Sequence, residues 1–429
     1  MMKKMNIAIV GLGNIGSYLY NFIIKNKNQI TKKNNAIPNV LYVSAKNIKK
    51  KRNFKINKKM WVSNYLNIPK DKNVDIVIEL IGGAEGAAKK LVFASLKNGK
   101  HVVTANKALI AKYGDKLSKI AESNQVNLEY EAAVCGGVPI IRSIKEGLIA
   151  NKVNKIYGIF NGTSNFILSS MDKDSISFNE ALSLAKKLGY AESNPLSDIN
   201  GEDVASKLKI LSSLCFNSYI NKKIHVEGIK DIDKYDIINA NKLGFKVKLL
   251  AFAEIINNKI CQRVHPTLIK KTSYIANING VLNAVVIDGD PVGRSVVQGE
   301  GAGPEATTSA LVSDISSILR GNIKFPFSIS SKERKSINQI DIVKKNFSAY
   351  IRLEVLDKHG VLSNITKIFS SNKVSIKRLI QNPHKSKNYA TIIIITHKSS
   401  DLLLEKIIKK LTIKKYIKKK PKLIRIENI

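Results

Sequence analysis

Four carboxylates and a lysine lie within one short segment, GYAESNPLSDINGEDVASK, of a chain that is otherwise rich in lysine. They belong to Glu192, Asp198, Glu202, Asp203 and Lys207. If the chain is helical from Asp203 onward, Asp203 and Lys207 stand at i and i+4 and project from the same face. A lysine ammonium, whose pKa falls on burial, can protonate a carbonyl oxygen or, once deprotonated, accept a proton. The spacing alone leaves two interpretations open, a catalytic pair or a solvated ion pair worth a few tenths of a kcal/mol.

A glycine-rich turn follows the first apolar run of the chain. The run NIAIV at 6–10 leads into GLGNIG, after which apolar residues recur at helical spacing. Gly11, Gly13 and Gly16 have G-x-G-x-x-G spacing, which lets a backbone turn approach a pyrophosphate at a helix N-terminus. The turn predicts a dinucleotide site, and the alternative is an ordinary glycine-rich connection.

The residues beyond this turn bear on which nicotinamide cofactor binds. An NAD site usually places an acidic residue about 20 residues after the glycines, yet no Asp or Glu precedes Asp71. The next apolar run leads instead into SAKNIKKKR. Lys46, Lys50 and Arg52 are therefore candidates to contact a 2′-phosphate, which favours NADP(H) over strict use of NAD(H). The alternative is that lysine is simply abundant here.

Alternating apolar and helical segments indicate how the turn is positioned. The runs VLYVSA, DIVIELIGG and HVVTAN are bounded by turn residues, with a helical segment between the last two. This alternation predicts an α/β fold, a Rossmann-type doubly wound parallel sheet over residues 1–130. A separate α+β domain that supplies substrate groups is predicted over 131–325. A linker at 326–347 precedes a unit at 348–429 that has the strand and helix order of a ferredoxin-like domain.

Composition excludes several classes of protein. The chain of 429 residues has 71 Lys and Arg against 33 Asp and Glu, a formal charge of +38. The basic residues are mostly Lys and are spread along the chain, so we interpret the charge as compositional bias and expect no specific nucleic-acid partner. The three cysteines are widely spaced and indicate neither disulfides nor a zinc site. No apolar run approaches the ~20 residues that span a bilayer, so we expect a cytoplasmic protein without a membrane partner.

The acidic segment also matches a longer pattern. Residues Ala185 to Lys207 fit A-x3-G-Y-A-x2-[DNS]-P-x2-D-[IV]-x-G-x-D-x3-K, which resembles the signature of the homoserine dehydrogenases. The resemblance extends through GLGNIG, TANK, YEAAVCGGVPI, NGTSNFIL, RVHPTLI and GEGAG, and the segment LDKHGVLSNITKIF resembles an ACT domain. It implies reversible NAD(P)-linked reduction of L-aspartate 4-semialdehyde to L-homoserine, a step in threonine and methionine biosynthesis.

The resemblance gives roles to particular residues. It implies that Lys207 donates a proton to the aldehyde oxygen and that Lys107 is a second lysine with a catalytic or a binding role. The residues implied to hold or support the substrate are Glu192, Asp198, Asp203 and Thr163. The cofactor residues are Gly11, Gly13, Asn14, Ile15, Gly16, Lys46, Thr104, Lys107, Gly189 and Gly301.

A monovalent-cation site is also implied by the resemblance. The carboxylate of Glu131 and the carbonyls of Val134, Gly136 and Val138 would bind Na⁺ or K⁺, and ligation by oxygen alone suits a hard cation. Cys135 and His265 are interpreted as structural residues. Two departures from the family pattern are Ala306, where Pro is usual, and Lys46, where Arg is frequent; the second leaves the preference for NADP open.

The ACT-like unit implies feedback inhibition, with threonine as the expected effector and residues 357–362 as its binding loop. The resemblance also implies a homodimer or homotetramer, with 131–325 as the substrate and dimerisation domain and a return of the chain to the nucleotide domain near 299–320. Two other functions remain open from the sequence. One is a different amino-acid or semialdehyde dehydrogenase, and the other is a non-catalytic, cofactor-binding amino-acid sensor.

Overall fold

A computed structural model describes residues 2–50, 52, 54, 56–220, 223–383 and 388–429. Its strands are β1 (Lys3–Val10), β2 (Ala36–Ser44), β3 (Ile76–Glu79), β4 (His101–Thr104), β5 (Leu128–Glu129), β6 (Lys152–Ile159), β7 (Ser218–Tyr219), β8 (His225–Val226), β9 (Phe245–Ile256), β10 (Lys259–Lys270), β11 (Leu282–Asp290), β12 (Gly293–Glu300), β13 (Lys335–Ser336), β14 (Asn346–Leu356), β15 (Ile376–Pro383), β16 (Tyr389–Thr396), β17 (Ser399–Ser400) and β18 (Ile417–Ile426). Its helices are α1 (Asn14–Lys25), α2 (Lys27–Asn34), α3 (Ala87–Lys97), α4 (Lys107–Ser123), α5 (Ile140–Arg142), α6 (Gly162–Asp174), α7 (Phe178–Lys187), α8 (Leu196–Ile199), α9 (Glu202–Cys215), α10 (Lys234–Lys242), α11 (Pro304–Leu319), α12 (Val361–Ser371) and α13 (Asp401–Thr412).

The chain divides into two compact units, each built from three stretches of sequence. The first unit comprises Met1–Gly162, Asp203–Lys222 and Val281–Ile337. The second comprises Thr163–Glu202, Lys223–Gly280 and Asn338–Ile429. The domain boundaries drawn from the sequence at 130, 325 and 347 follow a different division and stay a prediction.

A parallel sheet forms the centre of the first unit. Its strand order is β2-β1-β3-β4-β5, and every neighbouring pair is parallel. Alternation along β1 divides its side chains between two cores: Ile7 and Ile9 pack with Leu19, whereas Ala8 and Val10 pack on the other face. Because both faces are covered, the sheet is the predicted doubly wound one. The chain passes to β2 on one side of β1 and later to β3 on the other, so the ends of β1 and β3 form the switch point where such sheets bind ligands.

The first unit also contains the antiparallel strands β6, β11 and β12. Strand β12 lies at the edge of its sheet. Helix α11 packs through Leu311 and Ile315 into the core that contains Leu19 of α1. The last part of the first unit is therefore anchored on the helix that follows the glycine turn.

The second unit is built on the long antiparallel hairpin of β9 and β10. A two-residue turn joins the strands, and both of its residues, Asn257 and Asn258, have positive φ angles of 48° and 58°. Asn tolerates this left-handed conformation, and such a turn matches the twist of the flanking strands.

The C-terminal part of the second unit has the element order β14-α12-β15-β16-α13-β18, with the short β17 before α13. The sheet order is β18-β14-β16-β15, and its pairs are antiparallel. This order confirms the predicted ferredoxin-like arrangement. Strand β18 also pairs in parallel with β10, through Thr267 with Arg425 and Leu268 with Ile426. Beside this seam the guanidinium of Arg263 is fully buried and lies 2.5 Å from the Glu427 carboxylate.

Within the residues that the structure describes, no helix combines the length and the apolar character needed to cross a bilayer.

Candidate active site

Helix α9 brings Asp203 and Lys207 together in the first unit. The Lys207 Nζ lies 2.9 Å from Asp203 Oδ2, as the i and i+4 spacing predicts. The Asp203 side chain is 3 % exposed and that of Lys207 is 10 % exposed. Lys207 also donates a hydrogen bond of 2.7 Å to the carbonyl oxygen of Phe160. The pair is therefore buried and fixed, which excludes the solvated ion pair that the sequence left open.

A second lysine reaches the same carboxylate. Lys107 Nζ lies 2.7 Å from Asp203 Oδ1, and its side chain is 44 % exposed. Asn161, which the sequence did not single out as a site residue, donates a hydrogen bond of 2.8 Å to Asp203 Oδ2. Burial by itself raises the pKa of Asp203, but the ammonium groups of Lys207 and Lys107 outweigh it and hold that pKa well below its usual range. The ionised carboxylate thus fixes two ammonium groups beside each other.

The start of helix α4 determines where Lys107 lies. Asn106 is the N-cap of this helix: its side-chain oxygen accepts the Leu109 N–H at 3.0 Å, and its Nδ2 donates to the Gly83 carbonyl at 2.7 Å. The buried hydroxyl of Thr104 donates to Glu79 at 2.6 Å and accepts the Asn106 N–H at 3.0 Å. Because this hydroxyl is bound to Glu79, the predicted contact of Thr104 with the cofactor would have to be made by its backbone atoms.

The three glycines of the turn have different surroundings. Gly11 has a φ of +110°, and a Cβ there would lie 2.4 Å from the Leu80 carbonyl oxygen. A Cβ on Gly16 would lie 1.9 Å from the Gly11 carbonyl oxygen, whereas a Cβ on Gly13 would meet nothing within 4 Å. Gly13 is the N-cap of α1 and gives the helix no side-chain cap. The start of α1 is therefore open beside Gly13, as phosphate binding at a helix N-terminus requires.

A cavity of about 310 Å³ adjoins this turn. Its lining includes Gly13 and Asn14 together with the basic residues Lys50 and Arg52. The Arg52 guanidinium donates to the carbonyls of Asn47 and Lys50, each at 3.0 Å, and so holds the loop that carries Lys50. Lys46 is exposed and is not among the described residues that line the cavity. Two of the three basic candidates therefore lie beside the turn.

Four predicted site residues belong to the second unit, namely Thr163, Gly189, Glu192 and Asp198. Thr163, in the first turn of α6, donates its hydroxyl to the Tyr190 carbonyl at 2.7 Å. Gly189 follows α7 with a φ of +76°, a conformation that glycine adopts without strain. Glu192 is exposed, and Asp198 is partly buried in α8. The structure thus joins Thr163 to the GYAE segment, and the roles of these residues stay predictions.

Ile15 is partly buried in the first turn of α1. Gly301 follows β12 and packs closely on two neighbours. A Cβ on it would lie 2.2 Å from the Asn283 side chain, and a Cβ on Gly136 would lie 2.6 Å from the Gly301 carbonyl oxygen. The space around Gly301 is thus already filled by the protein, and its predicted contact with the cofactor stays a prediction.

The predicted cation segment is compact. Glu131 is 2 % exposed, and its carboxylate accepts the N–H groups of Ile141 at 2.8 Å and Arg142 at 2.7 Å. Burial raises the pKa of Glu131 to about 7 in spite of these donors. The Val138 carbonyl accepts the Ile140 N–H at 2.7 Å. Carboxylate and carbonyl oxygens keep a second lone pair, so this donor set fits a hard cation chemically. Within the described residues, His, Cys, Asp and Glu form no metal cluster of three or more.

Cys135 and His265 have structural surroundings. Burial raises the pKa of the Cys135 thiol to about 11. His265 is fully buried, its ring is stacked on Phe252 with centroids 5.8 Å apart, and burial lowers its pKa well below the usual value. A neutral thiol and a neutral, stacked imidazole agree with the structural interpretation of both residues.

Comparisons with known proteins agree along the whole chain. The family description "Homoserine dehydrogenase" matches residues 139–316, "Homoserine dehydrogenase, NAD binding domain" matches 11–131 and "ACT domain" matches 349–413. The chain is 36 % identical to the homoserine dehydrogenases of Neisseria gonorrhoeae and Helicobacter pylori, with 100 % of each chain covered in both cases. A crystal structure of the homoserine dehydrogenase from Thiobacillus denitrificans is 35 % identical, with a TM-score of 0.92 over 100 % of this chain and 99 % of that one. The resemblance is confirmed: the chain belongs to the homoserine dehydrogenase family, NAD(P)-dependent oxidoreductases that act on a CH–OH group.

Proposed function

We propose that Lys207 protonates the carbonyl oxygen of L-aspartate 4-semialdehyde as the enzyme reduces it to L-homoserine. The observation that carries this proposal is the burial of Lys207 against Asp203 at 2.9 Å and the Phe160 carbonyl at 2.7 Å. A bound nicotinamide supplies the hydride. The ionised Asp203 keeps the ammonium oriented and balances its charge, so that the proton is held where negative charge develops on the oxygen.

Lys107 contributes a second positive charge on the other oxygen of Asp203. Its exposed side chain is fixed by that contact of 2.7 Å. We assign it to orientation of the substrate or of the reacting oxygen, while Glu192, Asp198 and Thr163 hold or support the amino-acid end as the resemblance implies.

The test of this proposal compares Lys207→Ala with the wild-type enzyme in semialdehyde reduction. We expect kcat to fall by about 100-fold or more, because the proton donor is lost. Binding of NADPH, followed by its fluorescence, should change little. A variant with near-normal turnover would refute the assignment. If related aldehydes were reduced faster than the semialdehyde, the enzyme would instead be a different semialdehyde dehydrogenase.

We propose NADPH as the preferred cofactor. The support is the pair of basic residues, Lys50 and Arg52, beside the glycine turn and the absence of Asp and Glu before Asp71. Lys50→Ala should raise KM for NADPH and leave KM for NADH unchanged, because only NADPH carries the 2′-phosphate. Lys49→Ala is the matched control, since Lys49 is exposed and is not among the described lining residues. Equal effects on both cofactors would contradict the preference.

We further propose that Na⁺ or K⁺ binds at the segment from Glu131 to Val138. The support is the buried carboxylate of Glu131, whose pKa burial raises to about 7. Initial rates should rise when KCl or NaCl replaces choline chloride at constant ionic strength, and Glu131→Gln should abolish the response. Rates that do not depend on the cation would refute the proposed cation site.

The ACT domain is the proposed site of feedback regulation. We assign threonine as the effector of the ACT domain, binding near the loop 357–362, where Gly360 adopts a φ of +78° before α12. Inhibition by threonine should weaken in Asp357→Ala, and unchanged inhibition would exclude the loop.

We also propose a cytoplasmic homodimer or homotetramer, with the edge strand β12 available for pairing. Light scattering on the purified protein measures the mass, and a monomer would contradict it.

A further inference from the structure

Glu79 is a buried carboxylate at the carboxyl end of β3. It is 0 % exposed, and its register partners are Val10 of β1 and Thr104 of β4. The strands that end here lead directly into the glycine turn and into the segment TANK. Burial of a charge is costly unless hydrogen bonds compensate it. In the sequence, Glu79 is one residue of the apolar run DIVIELIGG, and no motif marks it.

The carboxylate of Glu79 is compensated by three hydrogen-bond donors. Its Oε1 accepts the N–H groups of Ile81 at 2.8 Å and Gly82 at 2.9 Å. Its Oε2 accepts the Thr104 hydroxyl at 2.6 Å. None of the ion pairs found in the described part of the chain includes Glu79. The carboxylate is therefore held by neutral donors from the loop after β3 and from the last residue of β4, which ties the ends of these strands together.

The contacts continue from Thr104 to a lysine of the site. The Thr104 hydroxyl accepts the Asn106 N–H at 3.0 Å, and Asn106 caps helix α4. Lys107 is the first residue of that helix, and its ammonium lies 2.7 Å from Asp203. The Asn106 side chain returns to the Gly83 carbonyl at 2.7 Å, in the loop that Glu79 also binds. The position of Lys107 thus depends on a hydrogen-bond network that begins at Glu79.

We propose that Glu79 is a positioning residue for the dehydrogenase reaction. Through Thr104 and Asn106 it fixes the start of α4 and thereby the ammonium of Lys107 against Asp203. Glu79 itself contacts no reacting atom. The inference rests on the proposed participation of Lys107, because a lysine without a role in the reaction would need no positioning.

The test uses Glu79→Gln, Thr104→Val, Thr104→Ser and the double variant Glu79→Gln with Thr104→Val. Glu79→Gln and Thr104→Val should each lower kcat by about 10- to 100-fold, because a displacement of about 1 Å in a positioned group can cost that much. The dissociation constant for NADPH should change by less than about threefold. Thr104→Ser keeps the hydroxyl and should retain kcat within about threefold. The double variant should lose no more than the worse single variant, since both substitutions break one network.

A matched control separates positioning from stability. Val77 lies in the same strand, and its side chain packs in the core on the opposite face from Ile76 and Ile78. Val77→Ala should lower Tm and keep kcat. If Glu79→Gln and Thr104→Val lowered Tm like Val77→Ala and kept kcat, the inference would be overturned. Strictly additive losses in the double variant would also overturn it.

Failure of the inference can be distinguished from failure of the proposed function. If Lys107→Ala kept normal kcat, the proposed role of Lys107 would be wrong. If Lys107→Ala lost activity while Thr104→Val did not, only the positioning role of Glu79 would fail. Should Glu79→Gln not fold, the comparison of Thr104→Val with Thr104→Ser still decides, because valine has the shape of threonine without the hydroxyl.

Discussion

Lys207 and Lys248 are both buried but have different partners. Lys207, in the first unit, contacts the Asp203 carboxylate at 2.9 Å. Lys248, in the second unit, is 3 % exposed and donates to neutral acceptors: the Asn165 side chain at 3.2 Å, the Ile278 carbonyl at 2.6 Å and the Asn279 side chain at 3.0 Å. None of the ion pairs found in the described part of the chain includes Lys248.

This difference shows what a carboxylate adds to a buried lysine. Burial lowers the pKa of Lys248 to about 7, and the more distant charge of Asp172 opposes this only in part. Beside Lys207, the carboxyl of Asp203 has a pKa well below its usual range and stays ionised at neutral pH. An ammonium at Lys207 is therefore charge-balanced by a carboxylate in contact with it, whereas the hydrogen-bond acceptors of Lys248 are neutral oxygens. A contacting carboxylate supplies the charge balance that burial alone does not.

The largest effect should come from Asp203→Asn, which removes the charge that distinguishes the two lysines. We expect kcat to fall by about 100-fold or more, because both ammonium groups of the site lose their orienting partner. Steady-state assays at saturating cofactor measure this loss. Glu202→Gln is the control, since Glu202 is the adjacent carboxylate and is exposed. Equal loss in both variants would show that the Asp203 contacts are not specific.

A smaller effect, on stability alone, should follow from Lys248→Met. The free energy of unfolding should fall by about 1–3 kcal/mol, because oxygen acceptors on Asn165, Ile278 and Asn279 each lose a hydrogen bond from the lysine. Urea unfolding at pH 9 measures the loss. Lys270→Met, at the exposed end of β10, should cost much less. If the two substitutions cost the same, the hydrogen bonds of Lys248 do not stabilise the fold.

The smallest effect should be the pH dependence of that loss. The pKa of Lys248 is about 7 in the folded chain against 10.5 for an ordinary lysine, so between these values the unfolded chain binds more protons. The contribution of Lys248 to stability then rises with pH through this window and is smaller at pH 7 than at pH 9. The lowered pKa of the Asp203 carboxyl changes stability only at pH values below 3.8, the ordinary pKa at which an unfolded aspartate takes up a proton. Unfolding at both pH values should show a smaller cost of Lys248→Met at pH 7, and an equal cost would mean that Lys248 stays charged.

What the sequence predicted follows from local geometry. The i and i+4 spacing of Asp203 and Lys207 places them on one face of any helix, and alternating apolar runs were sufficient to predict the parallel sheet. Glu79 and Asn161 were missed because their partners come from distant segments that only strand pairing and folding bring near. Lys248 was missed because alternation along a strand does not determine burial. Lys246 and Lys248 lie on the same face of β9, yet the Lys246 side chain is 27 % exposed and Lys248 is 3 % exposed.

The parallel pairing of β18 with β10 makes the ACT domain an inseparable part of its unit. A chain that ended before β14 would expose the edge of β10 to other molecules. It would also remove Glu427 from the guanidinium of Arg263, which would keep its contact with Glu254 but lose one of two carboxylate partners. In a test of the proposed threonine effector, a shortened enzyme would therefore not separate damage to the fold from loss of regulation. The proposed effector site is better tested by single substitutions in the loop 357–362, with the C-terminal strand kept intact.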